Sequence, residues 1–271
     1  MNPTAENLPN DLPANDLLRA PQAIVPMLLL QEGARQLGVP LDAGQVAQFE
    51  LYYQQLVEWN QKFNLTAITG YQDVQVKHFL DCLAGVRILA EELKETIPFA
   101  RPLACLDVGT GAGFPGVPLQ LALPHLQWSL MDATGKKIIF LTQLLQKLGA
   151  SETRVIQGRA EELGRVAEFR GRFDLVTARA VAPLNTLVEY LLPLVRTGGL
   201  AMIYKGTSAP QEFMAARKAI DLLGGEVVRL APVQIPFLEE KRFILLIKKV
   251  RPTSNSYPRP QGMARKKPLG E

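Results

Sequence analysis

The stretch "LACLDVGTGAGFPGVPLQLAL", Leu103 to Leu123, constrains this chain more than any other. Its first residues read as a buried strand and its last as a helix. Between them Gly109, Gly111 and Gly113 alternate, a pattern that lets the backbone take positive φ and approach a ligand closely. A strand, a glycine turn and a helix in that order open a parallel α/β sheet with a ligand at its carboxyl edge.

The residues that follow repeat the alternation. Strands are expected at Leu103–Val108, Gln127–Met131, Arg154–Gln157, Phe173–Thr177 and Leu200–Tyr204, with helical runs starting at Gly116, Gly135, Ala160 and Pro183. That is the pattern of a doubly wound, Rossmann-like sheet. A helix over Gln211–Leu223 is followed by two strand-like runs, Glu226–Val233 and Arg242–Val250, separated only by a loop. Strands so close in sequence pair as an antiparallel C-terminal hairpin. Ahead of the sheet, Asp42 is a candidate N-cap for a helix carrying Val46, Phe49, Tyr53, Leu56 and Val57 at helical spacing. A second amphipathic run carries Val76, Phe79, Leu80, Leu83 and Val86. The organisation expected is a disordered start (1–20), an N-terminal helical cap (21–100), a catalytic α/β domain (101–250) and a basic C-terminal tail (251–271).

The glycine turn also limits its ligand. A dinucleotide fingerprint needs a third glycine where Phe114 stands, and Pro115 has no N–H for a pyrophosphate. Asp132 closes the second strand about 20 residues on, where an acid grips ribose hydroxyls and repels a 2′-phosphate. Adenosine without phosphates, held by glycines and an acid, points to S-adenosylmethionine. Asp107, Gly109, Gly111 and Gly113 complete the D-x-G-x-G-x-G pattern of its binding loops.

Composition excludes several other classes. Hydrophobic residues make up 47% and charged residues 21%, as in ordinary globular proteins. No apolar run reaches the roughly 18 residues of a membrane span. The acidic start, with Glu6, Asp11 and Asp16, is unlike a signal peptide. A cytoplasmic protein is expected. Cys82 and Cys105 read as small buried hydrophobes, and with His78 and His125 the only histidines, no metal site is expected. The net charge is a modest +4, but Lys249, Arg251, Arg259, Arg265, Lys266 and Lys267 gather near the C-terminus. A solvated tail and a phosphate-binding arm both fit such a cluster.

The motifs "LDVGTGAGFPGVPL", "DATGKKIIFL", "GRAEEL", "TARAVAPL", "KFNLTAIT", "KHFLDCLA" and "YPRPQGMARKKPLG" resemble, in order and spacing, the small-subunit (16S) ribosomal RNA guanine-N7 methyltransferases, also called glucose-inhibited division protein B. The resemblance runs from about Tyr52 to Leu269. It departs at Cys82, where many relatives have serine. It implies a class I S-adenosylmethionine-dependent methyltransferase with Gly109 and Phe114 beside the cofactor. Asp132, Ala133 and Thr134 would then face the ribose, Ala160 and Glu161 the adenine edge, and Arg179 the reacting end. Each has a structural alternative: Asp107 capping the loop, Glu161 capping its helix, Arg179 pairing with Asp174 or Glu161.

The residues after the fourth strand discriminate between reactions. "TARAVAPL" offers neither the Asn/Asp-Pro-Pro-aromatic run of amino methylation nor the nucleophilic cysteine of cytosine C5 methylation. Guanine N7 carries a lone pair and no proton, so it needs alignment rather than a base. The A-form major groove is too narrow to present N7, so the target is expected in a loop of 16S rRNA, free or in a small-subunit precursor. Lys62 and Asn64 are candidates for the RNA-facing mouth, and Arg259, Lys266 and Lys267 for phosphate contacts in the tail. His78 and Asp81, one helical turn apart, read as an interhelical structural pair. A monomer is expected. A small-molecule methyltransferase and a non-catalytic ribosome-assembly factor stay open as alternatives.

Overall fold

The structure, a computed structural model, describes residues 26–270. The expected disordered start therefore lies outside the described residues. The elements run α1 (Leu28–Gln36), α2 (Ala43–Phe63), α3 (Tyr71–Val74), a π-helical stretch (Gln75–Leu80), α4 (Asp81–Leu83) and α5 (Gly85–Leu93). The alternating part follows as β1 (Ala104–Val108), α6 (Gly116–Ala122), β2 (Gln127–Asp132), α7 (Gly135–Lys147), β3 (Arg154–Gln157) and α8 (Ala160–Leu163). It continues with β4 (Phe173–Arg179), α9 (Leu184–Leu191), β5 (Val195–Lys205), α10 (Ala209–Leu222), β6 (Gly225–Val233), β7 (Arg242–Lys249) and α11 (Met263–Lys266).

The strands form one 7-stranded sheet in the order β3-β2-β1-β4-β5-β7-β6. β1 to β5 are parallel, while β7 pairs antiparallel with both β5 and β6, giving the expected closing hairpin. Strand order reverses between β1 and β4. A crevice opens at such a switch point because the connections leave the carboxyl ends in opposite directions.

Side chains alternate between the two faces of each strand. Cys105 of β1 and Met202 and Tyr204 of β5 enter one core, while Leu106, Ala201 and Ile203 enter the other. Cap residues Phe49, Tyr52, Leu56, Phe79, Leu80 and Leu83 belong to the first core, so the helical cap and that face of the sheet share one apolar interior. Both cysteines are fully buried and unpaired. Among the described residues, no helix is long and apolar enough to cross a membrane.

Two expectations for the cap need correction. α2 begins as expected: Asp42 accepts from the Gln45 N–H at 2.8 Å, and the Gln45 side chain accepts from the Asp42 N–H at 2.9 Å. Its buried stripe, however, uses Tyr52 rather than Tyr53. Three residues beyond Phe49, Tyr52 falls on the same face, and its hydroxyl finds the Ala112 carbonyl at 2.6 Å. The second amphipathic run is not one α-helix, because the π-helical stretch interrupts it. π-helical turns shift the side chains that follow and recur at functional sites. His78 lies within this one and Asp81 follows it directly.

Candidate functional site

The glycine loop is held from below and from the side. Asp107, at the end of β1, is fully buried and accepts from the Gly116 N–H at 2.9 Å and the Thr177 hydroxyl at 2.9 Å. Burial pushes its carboxyl up to about 6, against these hydrogen bonds. Each oxygen faces a protein donor, so the side chain anchors the loop to α6 and β4, and it does not line the cavity in which its expected cofactor contact would lie. Asp132 reaches the loop from β2, accepting from the Gly111 N–H at 3.0 Å and the Thr134 N–H at 2.8 Å, with Lys137 at 3.4 Å. A carboxylate has about four acceptor positions, so Asp132 keeps one for a ligand, on the oxygen that Thr134 meets.

The glycines have distinct tasks. Gly111 has φ 62° and a Cβ there would meet nothing closer than 3.9 Å, so it faces open space. At Gly113 (φ 103°) a Cβ would lie 2.7 Å from both the Tyr52 hydroxyl and Val117. Gly113, expected beside the cofactor, lets α2 pack on the loop.

Two cavities open at the carboxyl edge of the sheet. The first (≈ 210 Å³) is lined by Gly109, Asp132, Ala133, Arg159, Ala160, Glu161, Tyr190 and Arg265, among others. It thus gathers Gly109, Asp132, Ala133, Ala160 and Glu161 of the expected cofactor set, from the ends of β1, β2 and β3. Gly111, Gly113, Thr134, Phe114 and Arg179 are not in its lining. Thr134 is instead the N-cap residue of α7, presenting its N–H to Asp132. Arg159 and Arg265 were not expected here. The motifs "GRAEEL" and "YPRPQGMARKKPLG" contain Arg159 and Arg265, but no local pattern brings the two to one cavity.

The second cavity (≈ 450 Å³) is lined by Lys77, His78, Asp81, Arg179, Lys205, Glu212 and Arg242, with Ile68, Tyr204 and Phe243. Arg179, the last residue of β4, organises its inner wall. It donates to Asp81 at 2.6 Å, to the Lys77 carbonyl at 3.0 Å and to His78 Nδ1 at 2.9 Å, and its guanidinium lies 5.1 Å from the Phe114 ring centroid. Phe114 stacks on His78 at 4.4 Å and on Tyr52 at 5.4 Å. The expected ion pairs of Arg179 with Asp174 or Glu161 do not form. Asp174 pairs with Arg196 instead. His78 and Asp81 are likewise not an interhelical pair: they join the π-helical region to β4. Asp81 also lies 3.3 Å from Arg242.

Nδ1 of His78 lies between Arg179 at 2.9 Å and the Lys77 carbonyl at 3.2 Å; a guanidinium has only donors, so the shorter contact turns the Nδ1 lone pair to Arg179 and leaves the Lys77 carbonyl to the Arg179 N–H at 3.0 Å. The ring proton then sits on Nε2 and is donated to the Thr66 hydroxyl at 2.9 Å, which also accepts from the Ile68 N–H at 3.1 Å. Burial, reinforced by Arg179, holds the imidazole at about 3, far below its ordinary value. The histidine is neutral and both nitrogens are occupied. Thr66, from "KFNLTAIT", and His78 and Asp81, from "KHFLDCLA", are site residues whose role was invisible without their partner Arg179.

The RNA candidates divide. Lys62 and Asn64 are exposed at the end of α2. Asn64 sits at φ 50° as the helix C-cap, a task that asparagine tolerates well. Arg259 forks onto the fully buried Glu189 at 2.7 and 3.0 Å, so its charge is engaged inside the protein. Lys249 is buried and Arg251 pairs with Asp221 at 2.6 Å. Lys266 and Lys267 remain exposed. The C-terminal segment is not a solvated tail throughout, since Ala264 and Leu269 are buried in it.

A doubly wound sheet with a glycine turn at its switch point, an acid closing β2 and no pyrophosphate-facing helix start is the layout of a class I, Rossmann-like methyltransferase. The chain matches the model of the rRNA small subunit methyltransferase G family over residues 45–243, and it belongs to that family. It is 44% identical over 232 residues to a ribosomal RNA small subunit methyltransferase G from Geobacillus sp. (strain WCH70), covering 86% of this chain and 94% of the relative. With its counterpart in Alkaliphilus metalliredigens (strain QYMF) it shares 41% identity over 242 residues, or 89% and 98% of the two chains. Among solved structures, a SAM dependent methyltransferase from Aquifex aeolicus matches 63% of this chain and 92% of its own at 15% identity and a TM-score of 0.47.

Proposed function

We propose that the chain transfers the methyl group of S-adenosylmethionine to N7 of a guanine in an unpaired stretch of small-subunit (16S) ribosomal RNA. One observation carries the choice of atom: the histidine and both carboxylates lining the second cavity are each already engaged by a cation and by further hydrogen-bond or ionic partners. His78 faces Arg179 and Thr66, and Asp81 faces Arg179 and Arg242. Glu212 faces Lys205, Ser208 and the Leu184 N–H. An exocyclic amine would need help losing its proton; N7 carries none.

The residues of the first cavity fit the methyl donor. Asp132 keeps an acceptor position for a ribose hydroxyl, and among the described residues Glu161 accepts only from Gly262 at a long 3.4 Å, leaving it capacity for an exocyclic amine. When bound, the cofactor would supply an electrophilic methyl on a sulfonium whose neutral thioether is the leaving group, so an aligned neutral lone pair suffices as nucleophile. Arg179 would orient the base. Of its five N–H groups three are committed, so two remain for guanine O6, the acceptor beside N7. Lys77, Lys205 and Arg242 give the cavity a surplus of positive charge for the flanking phosphates. Lys62, Lys266 and Lys267 would add phosphate contacts outside it, and a monomer suffices for all of these roles.

The test incubates the purified protein with labelled S-adenosylmethionine and either deproteinised 16S RNA or small-subunit particles from cells lacking it, then maps the modified nucleoside by mass. Label recovered as 7-methylguanosine is expected. Label on an exocyclic amine would overturn the reading.

A further inference from the structure

Resting on the reading of the first cavity as the cofactor pocket, we infer that the C-terminal segment, Val250–Gly270, forms the outer wall of that pocket. Arg265 in this segment contacts the purine end of the methyl donor.

The segment is strapped down by cations rather than held away by them. Lys249 donates to the carbonyls of Leu192 at 2.6 Å and Leu223 at 2.9 Å and to the Thr253 hydroxyl. Arg170 gathers the carbonyls of Thr253 at 2.8 Å, Ser254 at 3.1 Å and Tyr257 at 2.8 Å. Arg259 holds Glu189 of α9, and the Thr186 hydroxyl donates to the Ala264 carbonyl at 3.1 Å. These anchors bring α11 against α9, beside the cavity.

There the strap meets the pocket. The Gly262 N–H reaches Glu161 at 3.4 Å. With the Gln261 amide turned so that its oxygen faces Arg159, that oxygen lies 2.8 Å from Nε. Arg265 lines the cavity together with Glu161, Arg159 and Tyr190. Unlike Arg251 and Arg259, Arg265 has no hydrogen bond or ion pair among the described residues. A rim cation with no ion pair or hydrogen bond among the described residues, sharing a cavity with a carboxylate that has spare acceptor capacity, presents donors beside an acceptor. That pattern suits a purine edge, whose ring nitrogens accept and whose amine donates. A guanidinium also stacks well on such a ring. Strap and ligand must then stabilise each other by the same factor.

Calorimetry on the full chain tests this with two probes, S-adenosylhomocysteine and 5′-methylthioadenosine, which lacks the amino-acid end. Arg265→Gln should bind both about tenfold more weakly, the worth of one hydrogen bond to a charged group. Its ligand-free melting temperature should stay that of the wild type, because the side chain is exposed. In the wild type, S-adenosylhomocysteine should slow tryptic cleavage after Arg265 and Lys266. Equal affinity of the variant and wild type for both probes overturns the inference, as does a loss confined to S-adenosylhomocysteine. A wild type that binds neither probe overturns the cofactor reading instead.

Discussion

The cleft holding Asp132 and the cavity holding Arg179 share one sheet edge but are assembled differently. In the cleft, most of the lining comes from the turns that end β1, β2 and β3, each immediately after its strand. The cavity draws on the π-helical stretch, the end of β4 and the start of β7, elements far apart in the chain. The first follows from local chain geometry and the second from packing. The two should therefore respond differently to damage: the cleft by losing its ligand, the cavity by losing stability as well.

The largest contrast is expected between Arg179 and Asp132. Arg179→Ala leaves Asp81 buried with Arg242 as its remaining partner, and should cost about 3 kcal/mol in denaturant titration as well as nearly all turnover. Asp132→Asn keeps the shape and should cost about 1 kcal/mol while weakening S-adenosylhomocysteine binding. Equal denaturation midpoints for Arg179→Ala and the wild type would remove the distinction between the two cavities.

The loop glycines sharpen it further. Gly111→Ala carries only the backbone cost of its positive φ, about 1 kcal/mol. Gly113→Ala adds the collision with Tyr52 and Val117 and should cost at least about 1 kcal/mol more. Tyr52→Phe should recover part of the loss at Gly113 and none at Gly111. Additive behaviour in that double-mutant cycle would mean that α2 does not clamp the loop.

Acid stability separates His78 from Asp107. Because the folded chain holds His78 down at about 3, its contribution is present above the ordinary value of 6.5 and is lost as pH falls from 6.5 towards 3. Asp107, raised to about 6 from 3.8, acts in the opposite sense: its contribution is complete below 3.8 and lost as pH rises through 6. His78→Gln should thus gain on the wild type by about 1.4 kcal/mol per pH unit at most on acidification below 6. Parallel unfolding curves from pH 7 to 4 would contradict the buried neutral imidazole.

The smallest effect belongs to the surface. Replacing Lys266 and Lys267 by glutamine should reduce the slope of log affinity against log salt for RNA by about 0.7 to 0.9 for each phosphate that is no longer neutralised. Arg259→Gln should leave that slope unchanged and lower stability, since its charge is committed to Glu189. If Arg259→Gln flattens the slope as much, the assignment of Arg259 as an internal anchor is wrong.

Much of this molecule was legible in its sequence. The strand–glycine–helix unit, the alternation behind it, the closing hairpin and the positions of Gly109 and Asp132 at strand ends follow from short-range pattern, whereas Ala160 and Glu161 were marked by the resemblance of the "GRAEEL" motif. Strand and helix periodicity and the turn chemistry of glycine act within a few residues, and the carboxyl edge of a parallel sheet converts them directly into a ligand site. Tertiary structure alone decided which charges meet. Arg179 could as well have reached Asp174, Asp107 could have faced ligand rather than Thr177, and Arg259 could have stayed in solvent rather than at Glu189. These ion pairs and buried hydrogen bonds depend on distances between groups about 70 to 100 residues apart, and no local pattern encodes such a distance. A buried carboxylate such as Glu189 takes whichever cation packing delivers, because burial without a partner is costly.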